Sequence, residues 1–398
     1  MNKMTVRDIE VSGKRVLVRV DYNVPVDIKT GEITDDTRIR ASLPTINYLI
    51  ERKARVILIS HMGRPKGKVV DDMRLAPAAE RLSQFLGKPV KRAEDCIGPD
   101  IEKAVNGLKG GDVILLENLR FHAGEEVGDD DFAGALAGLG DVYVNDAFGT
   151  SHRAHASISG IPRYLPAVAG FLLEKEINTL GSLLEEPERP FISIFGGAKV
   201  SDKVAVLKNI MDKVDGILIG GGMVATFLKV KKYEVGKSKV ETESLESAKE
   251  LTESAARKGV RIVLPVDVVV AGAIDEKAQS KTVPVDKIPP DKMILDIGPG
   301  TTALFSKELE KSKTVFWNGP MGVEEIPQFA KGTEAIAKLL PELKAKTIVG
   351  GGSTGEVIEK LGLADKVTFV STGGGASLEF LGGDELPGVT ALKDKTGK

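Results

Sequence analysis

Short runs of apolar residues alternate along the chain with longer segments whose apolar positions recur at helical spacing. The runs are almost continuously apolar, which is typical of strands buried on both faces of a parallel sheet. Strands that alternate with helices in this way predict an α/β protein. The predicted strands are residues 15–20, 55–60, 113–117, 142–145, 191–195, 216–220, 261–265, 293–296, 314–317, 347–350 and 368–371. Segments such as residues 76–86 and 244–258 are predicted helices.

The length of 398 residues is too great for one ordinary domain, so we expect two parallel sheets in two α/β units. The boundary is expected within residues 171–190. Residues 172–177 have a helical pattern there, and the proline-containing residues 185–190 resemble a linker into the next strand.

Composition narrows the classes of function. The 55 Lys and Arg residues against 57 Asp and Glu residues give a net charge of −2, which argues against non-specific nucleic-acid binding and a polybasic membrane contact. No apolar run approaches transmembrane length, and residues 1–8 lack the core of a signal peptide. The one cysteine, Cys96, cannot form an internal disulfide. These observations predict a cytoplasmic protein.

Two glycine triplets give the strongest indication of chemistry. Residues 350–352 and 373–375 each follow a predicted strand and precede an apparent helix start. Such a turn leaves backbone N–H groups free at a helix N-terminus, which favours anions. The alternative is that these glycines only make tight turns between strand and helix. Two such turns close together favour a phosphate site.

Arginines follow the predicted strands of the first half of the chain. Arg64, Arg120 and Arg153 each come soon after a strand end, and Arg38 opens a helix after the first loop. Because ligands of open α/β sheets bind beyond the carboxyl ends of the strands, these side chains are expected to collect at one edge. Arginine binds phosphate and carboxylate with a flat pair of donors. For a single arginine, a surface position or a structural ion pair is the simpler interpretation.

Other polar side chains share these loops. Asp21 and Asn23 follow the first strand and are suited to hold a hydroxyl group, and His61 follows the second. His61, His152 and His155 could instead indicate a metal, but they lie on separate loops without Cys or paired carboxylates, so zinc is a weak interpretation.

Glycine turns also follow the strands of the second half. Residues 196–203 contain two glycines, Lys199 and Lys203, residues 220–222 are Gly220, Gly221 and Gly222, and Asn318 opens a further turn. The chain has neither a G-x-x-x-x-G-K-[ST] loop nor a G-x-G-x-x-G fingerprint after its first strand. These features predict a mononucleotide site, with phosphates on the turns and a ribose hydroxyl on Glu325.

Taken together, these segments resemble the phosphoglycerate kinase family along essentially the whole chain. The matching blocks are residues 19–25, 36–39, 60–65, 117–121, 145–150, 152–157, 196–203, 317–323 and 371–377. The resemblance implies two Rossmann-like domains, each a mostly parallel sheet covered by helices, with a cleft between them. It implies a monomeric glycolytic enzyme that moves a phosphoryl group between 1,3-bisphosphoglycerate and ADP, giving 3-phosphoglycerate and ATP.

The resemblance also implies a division of the chain. Residues 1–170 would be the phosphoglycerate-binding domain, 171–189 an interdomain helix and linker, 190–380 the nucleotide-binding domain, and 381–398 a segment returning to the first domain. The residues implied to bind phosphoglycerate are Asp21, Asn23, Arg38, His61, Arg64, Arg120 and Arg153. Those implied to bind the nucleotide with Mg²⁺ are Lys199, Lys203, Gly220, Gly221, Gly222, Asn318, Glu325, Gly350, Gly351, Gly352, Ser353 and Thr354.

The chemistry agrees with this set of residues. The acyl phosphate leaves as a carboxylate, and in reverse a carboxylate attacks, so no general base is needed at pH 7. Phosphoryl transfer needs alignment and neutralisation of charge, for which Arg38, Lys203 and the N–H groups around Gly351 and Gly374 are suited. Water must be excluded, so domain closure about a hinge near the interdomain helix is expected.

Two positions depart from the family pattern. Where the family usually has an Asp that binds the magnesium ion of the nucleotide, this chain has Ser353, which brings a hydroxyl but no charge. Where the family usually has Phe before the ribose-binding Glu, this chain has Glu324 before Glu325. The Ser353 departure leaves open one alternative, a binder of the same fold that is impaired in transfer. A second alternative is a nucleotide-dependent oxidoreductase, although this chain lacks the G-x-G-x-x-G dinucleotide fingerprint.

Overall fold

The computed structural model describes residues 2–27 and 29–395. Two compact units make up the described chain. The first runs to Asn178 and includes the chain again from Glu385, and the second is Thr179–Asp384. The last described residues pair with the first unit, because Met4 donates to Lys393 O at 2.8 Å and Lys393 donates to Ala167 O at 3.0 Å.

Strands and helices alternate through both units. In chain order the strands are β1 Arg15–Arg19, β2 Arg55–Ile59, β3 Lys91–Arg92, β4 Val113–Leu115, β5 Val142–Asn145, β6 Ala167–Ala169, β7 Phe191–Phe195, β8 Gly216–Ile219, β9 Arg261–Val263, β10 Asp267–Ala271, β11 Lys281–Pro284, β12 Met293–Ile297, β13 Thr314–Asn318, β14 Lys346–Gly350 and β15 Phe369–Val370. The α-helices are α1 Thr37–Glu51, α2 Ala76–Leu86, α3 Pro99–Asn106, α4 Ala123–Val127, α5 Asp130–Ala137, α6 Phe171–Leu184, α7 Val204–Ile210, α8 Val224–Val230, α9 Leu245–Arg257, α10 Pro299–Leu309, α11 Lys331–Leu339, α12 Gly352–Lys360, α13 Gly375–Gly382 and α14 Pro387–Thr390.

Each unit is built on a six-stranded parallel sheet. The strand order is β3-β4-β2-β1-β5-β6 in the first unit and β15-β14-β13-β7-β8-β9 in the second. The central strands are buried along nearly their whole length because their side chains on both faces are apolar, as in Val16–Val18 of β1 and Ile57–Ile59 of β2. The predicted α/β fold with two mostly parallel sheets is confirmed.

A third sheet was not predicted. Strands β11, β10 and β12 form an antiparallel sheet in the second unit, so residues 293–296, predicted as part of a parallel sheet, pair instead with β10. An apolar run such as Met293–Ile297 is compatible with either pairing, and the partner strands β10 and β11 were not recognised. The short strands β3 and β6 were also missed, because two or three residues give too little pattern to recognise.

Helix ends follow local sequence. Helix α2 has the predicted bounds, with Pro77 in its first turn and Gly87 in the left-handed conformation at its C-terminus (φ 62°). Helix α9 is one residue shorter at each end than the predicted 244–258.

A buried carboxylate supports the start of α6. Asp146 Oδ1 accepts hydrogen bonds from the backbone N–H groups of Leu172 at 2.9 Å and Leu173 at 3.3 Å. Gly170 is required beside it, because a Cβ there would lie 2.2 Å from Asp146 Oδ1. Burial raises the pKa of Asp146 to about 7, although hydrogen bonds from Thr45 and the α6 backbone oppose the shift.

We expect Asp146→Asn to raise Tm at pH 8 and to change it much less at pH 4. The folded state holds the proton of Asp146 up to about pH 7, whereas the unfolded chain releases it near pH 4, so stability is lost as pH rises across that window. The amide keeps an oxygen for the α6 backbone and cannot ionise. Thermal melting at both pH values measures the effect, and an equal change in Tm at both would show that Asp146 is not protonated in the folded state.

Candidate functional site

The predicted arginines lie on loops at one edge of the first sheet. Because β4, β2, β1 and β5 are parallel neighbours, the segments that follow them leave from the same edge. Arg38 reaches this edge from the first turn of α1.

An ion pair and a loop contact hold the first of these side chains. Arg38 Nη1 donates to Asp21 Oδ2 at 2.8 Å and to the backbone oxygen of Asn23 at 3.3 Å. Asn23 Oδ1 accepts from the backbone N–H of Gly63 at 2.8 Å, which joins the loops after β1 and β2. The predicted residues Asp21, Asn23 and Arg38 are therefore brought together, and Asp21 orients Arg38 in this structure.

His61 is the buried centre of the cluster. Its Nδ1 lies 3.1 Å from Nη2 of Arg19, and only 3% of the residue is exposed. Burial, and then the positive charges of Arg19, Arg120, Arg153 and Arg38, hold the pKa of His61 well below its ordinary value. His61 is therefore neutral near pH 7, and the arginines that contribute to this shift include Arg38, Arg120 and Arg153 of the predicted set.

The remaining predicted arginines differ in exposure. Arg120 is buried, donates from Nη1 to Gly63 O at 2.7 Å, and has its Nε 3.3 Å from Glu126 Oε1. Arg153 is half-buried, with Nε 3.4 Å from His152 Nε2. Arg64 is exposed on the loop after β2, next to the Gly63 that contacts Arg120. A concentration of cations at this edge fits an anionic ligand.

A buried network beneath the cluster was missed at the sequence level. Arg19 Nε donates to Ser157 Oγ at 2.9 Å, and Glu125 Oε1 accepts from the same hydroxyl at 2.6 Å. Arg19 is the last residue of β1, and Glu125 lies on the short helix α4. Burial of the Glu125 carboxyl raises the pKa of that group, although the nearby charge of Arg19 acts in the opposite direction. The network fixes Arg19, which in turn contacts His61.

Glycines let three turns pack backbone against backbone at the corresponding edge of the second sheet. Gly197 donates to Pro320 O at 3.0 Å, and Gly221 donates to Met321 O at 3.0 Å. A Cβ on Gly221, whose φ is +66°, would lie 2.5 Å from Gly197 N. The turns after β7, β8 and β13 are thus packed directly on one another. Within them Gly220 and Gly221 are buried, whereas Gly222 is exposed.

Asn318 links these three turns to the first glycine triplet. Lys203 Nζ donates to Asn318 Oδ1 at 2.5 Å, whereas the buried Asn318 Nδ2 has no hydrogen-bond partner among the described residues. A Cβ on Gly351 would lie 3.0 Å from that Nδ2. A buried donor beside a glycine turn is suited to bind an acceptor on a ligand. Burial lowers the pKa of Lys203 to about 8.

The lysine-bearing turn is held by a carboxylate that the sequence did not indicate. Glu241 accepts from the backbone N–H groups of Val200 at 2.7 Å and Ser201 at 3.0 Å, and from Ser201 Oγ at 2.6 Å. Burial would raise the pKa of Glu241, but these hydrogen bonds outweigh it and lower the pKa. Lys199, between Gly197 and Val200, is exposed.

The two triplets follow neighbouring strands and both begin helices, as predicted. Gly351 is the N-cap of α12 with φ +95°, and Gly374 is the N-cap of α13 with φ +54° and ψ −117°. Both conformations favour glycine. Because β14 and β15 are parallel neighbours, the two helix N-termini lie at the same edge of the sheet. The N–H groups of a helix N-terminus are suited to bind phosphate.

The remaining predicted positions have different surroundings. Ser353, in the first turn of α12, and Glu325, in the turn after β13, are both exposed. Gly350 is buried, while Gly352 is exposed. Thr354 is buried and its Oγ1 accepts from Gly319 N at 2.8 Å, so this hydroxyl holds the turns together.

The comparisons with known proteins agree with one another. The family model described as phosphoglycerate kinase matches residues 6–384. The chain is 56% identical over 393 residues to a phosphoglycerate kinase from Dictyoglomus turgidum, covering 98% of each chain. It is 55% identical over 395 residues to one from Moorella thermoacetica, covering 99% of this chain and 100% of that one. The structures of phosphoglycerate kinases from Coxiella burnetii (TM-score 0.86, 41% identity) and Pyrococcus horikoshii (TM-score 0.87, 34% identity) each cover 98% of this chain and match at 98% of their own length.

Proposed function

The chain belongs to the phosphoglycerate kinase family, and on that premise we propose how its two units divide the reaction. The enzyme is a phosphotransferase that interconverts 1,3-bisphosphoglycerate and ADP with 3-phosphoglycerate and ATP in glycolysis. We propose that the first unit binds the phosphoglycerate and the second binds the nucleotide. Neither the impaired-transfer alternative nor the oxidoreductase alternative is supported by three curated relatives at 55–56% identity, each of which is named phosphoglycerate kinase.

The arginine cluster carries the proposal for the first unit. Besides burial, the charges of Arg19, Arg38, Arg120 and Arg153 lower the pKa of His61, and of these four Arg38 is paired with Asp21 and Arg120 with Glu126. The surplus of positive charge fits a substrate that carries a phosphate at one end and a carboxylate or acyl phosphate at the other. Arg64, which is exposed, would anchor the phosphate that does not react. Asn23 and Asp21 would hold the hydroxyl between the two ends.

The glycine turns carry the proposal for the second unit. Lys199, Lys203, Asn318 Nδ2 and the N–H groups of the first triplet offer donors to the nucleotide phosphates. The turn of Gly220, Gly221 and Gly222 would contact the nucleotide through its exposed residue Gly222, and Glu325 would accept from a ribose hydroxyl. Glu241 would act indirectly, by holding the turn that carries both lysines.

The transfer itself needs charge neutralisation rather than proton abstraction. The attacking group is a phosphate oxygen of ADP or a carboxylate, and neither carries a proton that a base must remove. We assign to Arg38, Lys203 and the N–H groups around Gly351 and Gly374 the stabilisation of charge on the moving phosphoryl group in an in-line displacement. Since the two ligands are assigned to separate units, the units must close on each other for transfer, which also excludes water.

Three further assignments follow the family. We propose that the enzyme is a monomer, that α6 and the chain after it carry a hinge, and that the protein works in the cytoplasm. The single cysteine fits a reducing compartment. Within the described residues, none of the helices combines the length and apolar character needed to cross a membrane.

Magnesium is proposed to bind with the nucleotide. The first turn of α12 carries no acidic side chain, and a helix N-terminus attracts phosphate rather than a cation. The donors here therefore fit the phosphates directly, and Ser353 can add one hydroxyl oxygen to the ion. When bound, Mg²⁺ neutralises phosphate charge.

We expect Ser353→Asp to lower the Mg²⁺ concentration needed for half-maximal activity, because a carboxylate adds a charged oxygen ligand. The side chain is exposed, so the substitution removes no packing contact. Ser353→Asn is the matched control, since asparagine has the same shape as aspartate but no charge. Activity is titrated against Mg²⁺ at fixed nucleotide concentration. An unchanged midpoint in Ser353→Asp would place residue 353 away from the metal.

Two exposed residues test the division between the units. Arg64→Ala is expected to weaken 3-phosphoglycerate binding and leave ADP binding unchanged, and Lys199→Ala is expected to do the reverse. Each effect should be about tenfold, typical of losing one charge-assisted contact. Isothermal titration calorimetry of each ligand with each variant measures it. If either variant weakened both ligands equally, the division of ligands between the units would be wrong.

A further inference from the structure

Three potential metal ligands, none of which has a role in the proposed kinase mechanism, meet in the first unit. Asp95 and Cys96 lie in the loop between β3 and α3, and His122 directly precedes α4. One ligand atom from each residue lies within 4.8 Å of the other two. The histidines considered from the sequence, His61, His152 and His155, do not form such a group with Cys, Asp or Glu in the described part of the chain.

The three side chains are held in place by their neighbours. His122 Nε2 lies 2.6 Å from Asp95 Oδ1, which also accepts from the backbone N–H of Cys96 at 2.6 Å. The His122 ring stacks on Phe132, with 5.2 Å between ring centroids and 24° between the planes. The Cys96 thiol is fully buried and Asp95 is exposed. Sulfur thus approaches from the interior and the carboxylate from the solvent side.

The environment of Cys96 argues against a reactive thiol. Cys96 is fully buried, and the carboxylate of Asp95 lies beside its thiol. A nucleophilic or redox-sensing cysteine needs the opposite, a nearby positive charge and access to solvent. A divalent cation would supply the missing positive charge and displace the thiol proton.

We propose that Asp95, Cys96 and His122 form a binding site for a zinc-class divalent cation. A thiolate and a carboxylate balance the two positive charges, and the imidazole adds a neutral ligand. Zinc takes sulfur, nitrogen and carboxylate ligands in a tetrahedral arrangement, with atoms about 2.0–2.3 Å from the metal. Ligand atoms in such a site lie about 3–4 Å apart, so Asp95 and His122 would exchange their mutual 2.6 Å hydrogen bond for bonds to the metal. Water takes the fourth position on the exposed side, and Mg²⁺, which prefers oxygen, is excluded.

The single cysteine makes a direct spectroscopic test possible. Cobalt(II) is added to the reduced, metal-free, full-length protein without nucleotide, and absorbance is recorded. The structure predicts one equivalent of tightly bound cobalt with a thiolate-to-metal charge-transfer band in the near ultraviolet. Because Cys96 is the one cysteine of the chain, that band can come from no other residue. Cobalt binding without the band would overturn the proposal.

Variants identify the other ligands. Zn²⁺ affinity, measured by competition with a chromophoric chelator, is expected to fall about tenfold or more in Cys96→Ser, His122→Gln and Asp95→Asn. Glu94→Gln is the matched control. Glu94 is an exposed carboxylate next to Asp95, does not belong to the proposed ligand group, and accepts from Arg92 at 3.3 Å. Because Asp95 is exposed, the Asp95→Asn variant should fold even if the substitution of the buried Cys96 prevents folding. Kinase activity without added zinc verifies folding, and unchanged Zn²⁺ affinity in Asp95→Asn or Cys96→Ser would refute the site.

Discussion

Arg38→Ala is expected to lower kcat by about 10²-fold or more, the loss typical of removing one preorganised donor to transition-state charge. Arg38 reaches the carboxyl edge of the first sheet from the first turn of α1, and Asp21 fixes its guanidinium through a 2.8 Å hydrogen bond. We place it on the moving phosphoryl group, where charge changes most between ground state and transition state. The loss should therefore appear in kcat.

Two control variants separate this role from simple binding. Arg38→Lys keeps a cation opposite Asp21 but cannot reproduce a bidentate grip, so it should recover only part of the lost rate. Arg64→Ala removes an exposed arginine assigned to the unreactive phosphate, so it should mainly raise KM for 3-phosphoglycerate. Steady-state kinetics of the three variants give the comparison. An effect of Arg38→Ala on KM alone, or of Arg64→Ala on kcat alone, would reverse the two assignments.

Lys203→Ala is expected to cost a similar factor, about 10²-fold or more in kcat. Lys203 lies at the edge of the second sheet where Asn318 and the first triplet meet, and its Nζ is 2.5 Å from Asn318 Oδ1. An ammonium group there would neutralise charge on the transferred group. Lys199→Ala is the comparison, because Lys199 is exposed on the same turn and is assigned to binding.

The pKa of Lys203 gives this prediction a pH dependence. Burial lowers that pKa to about 8, so the free enzyme loses the positive charge as pH rises through that value. Consequently kcat/KM for ATP should fall about tenfold for each pH unit well above 8, since this ratio reports ionisation of the free enzyme. Lys203→Arg cannot deprotonate in this range, so its lower activity should lack that decline. If the decline persisted in Lys203→Arg, another group would be responsible.

Much of the fold and of the site could be predicted because parallel strands impose geometry. Once the apolar runs are assigned to parallel strands, the residues after them must meet at one edge, which is how Arg120 and His61 were placed together. The same reasoning put the two glycine triplets beside each other at the ends of β14 and β15. Glycine turns and loop arginines are local features that the sequence displays directly.

The residues that were missed act across larger separations or from within regular elements. Glu241 holds the backbone of Val200 and Ser201 from about 40 residues further along the chain, and no local pattern distinguishes it from a surface glutamate. Arg19 ends β1 directly after the apolar residues Val16, Leu17 and Val18, and the pattern there indicates only burial. Asp95 and His122 are 27 residues apart, and their proximity depends on how the loops after β3 and β4 pack.

Thr354 shows that a sequence motif does not specify the contacts of each of its side chains. Its position directly after the first triplet predicts a place in the nucleotide turn, and the structure adds that its buried hydroxyl accepts from Gly319 N. The side chain joins the first turn of α12 to the turn after β13. A position within a motif therefore identifies the neighbourhood of a residue but not the partner of its side chain.

The most direct measurement is formation of ATP by the purified full-length chain supplied with ADP, Mg²⁺ and 1,3-bisphosphoglycerate, followed through a coupled assay. The account predicts steady turnover that Lys203→Ala and Arg38→Ala each reduce about 10²-fold or more while both variants remain folded. Calorimetric binding of 3-phosphoglycerate and ADP without ATP formation would contradict it, because the loops of both units would then bind ligands without aligning them for transfer.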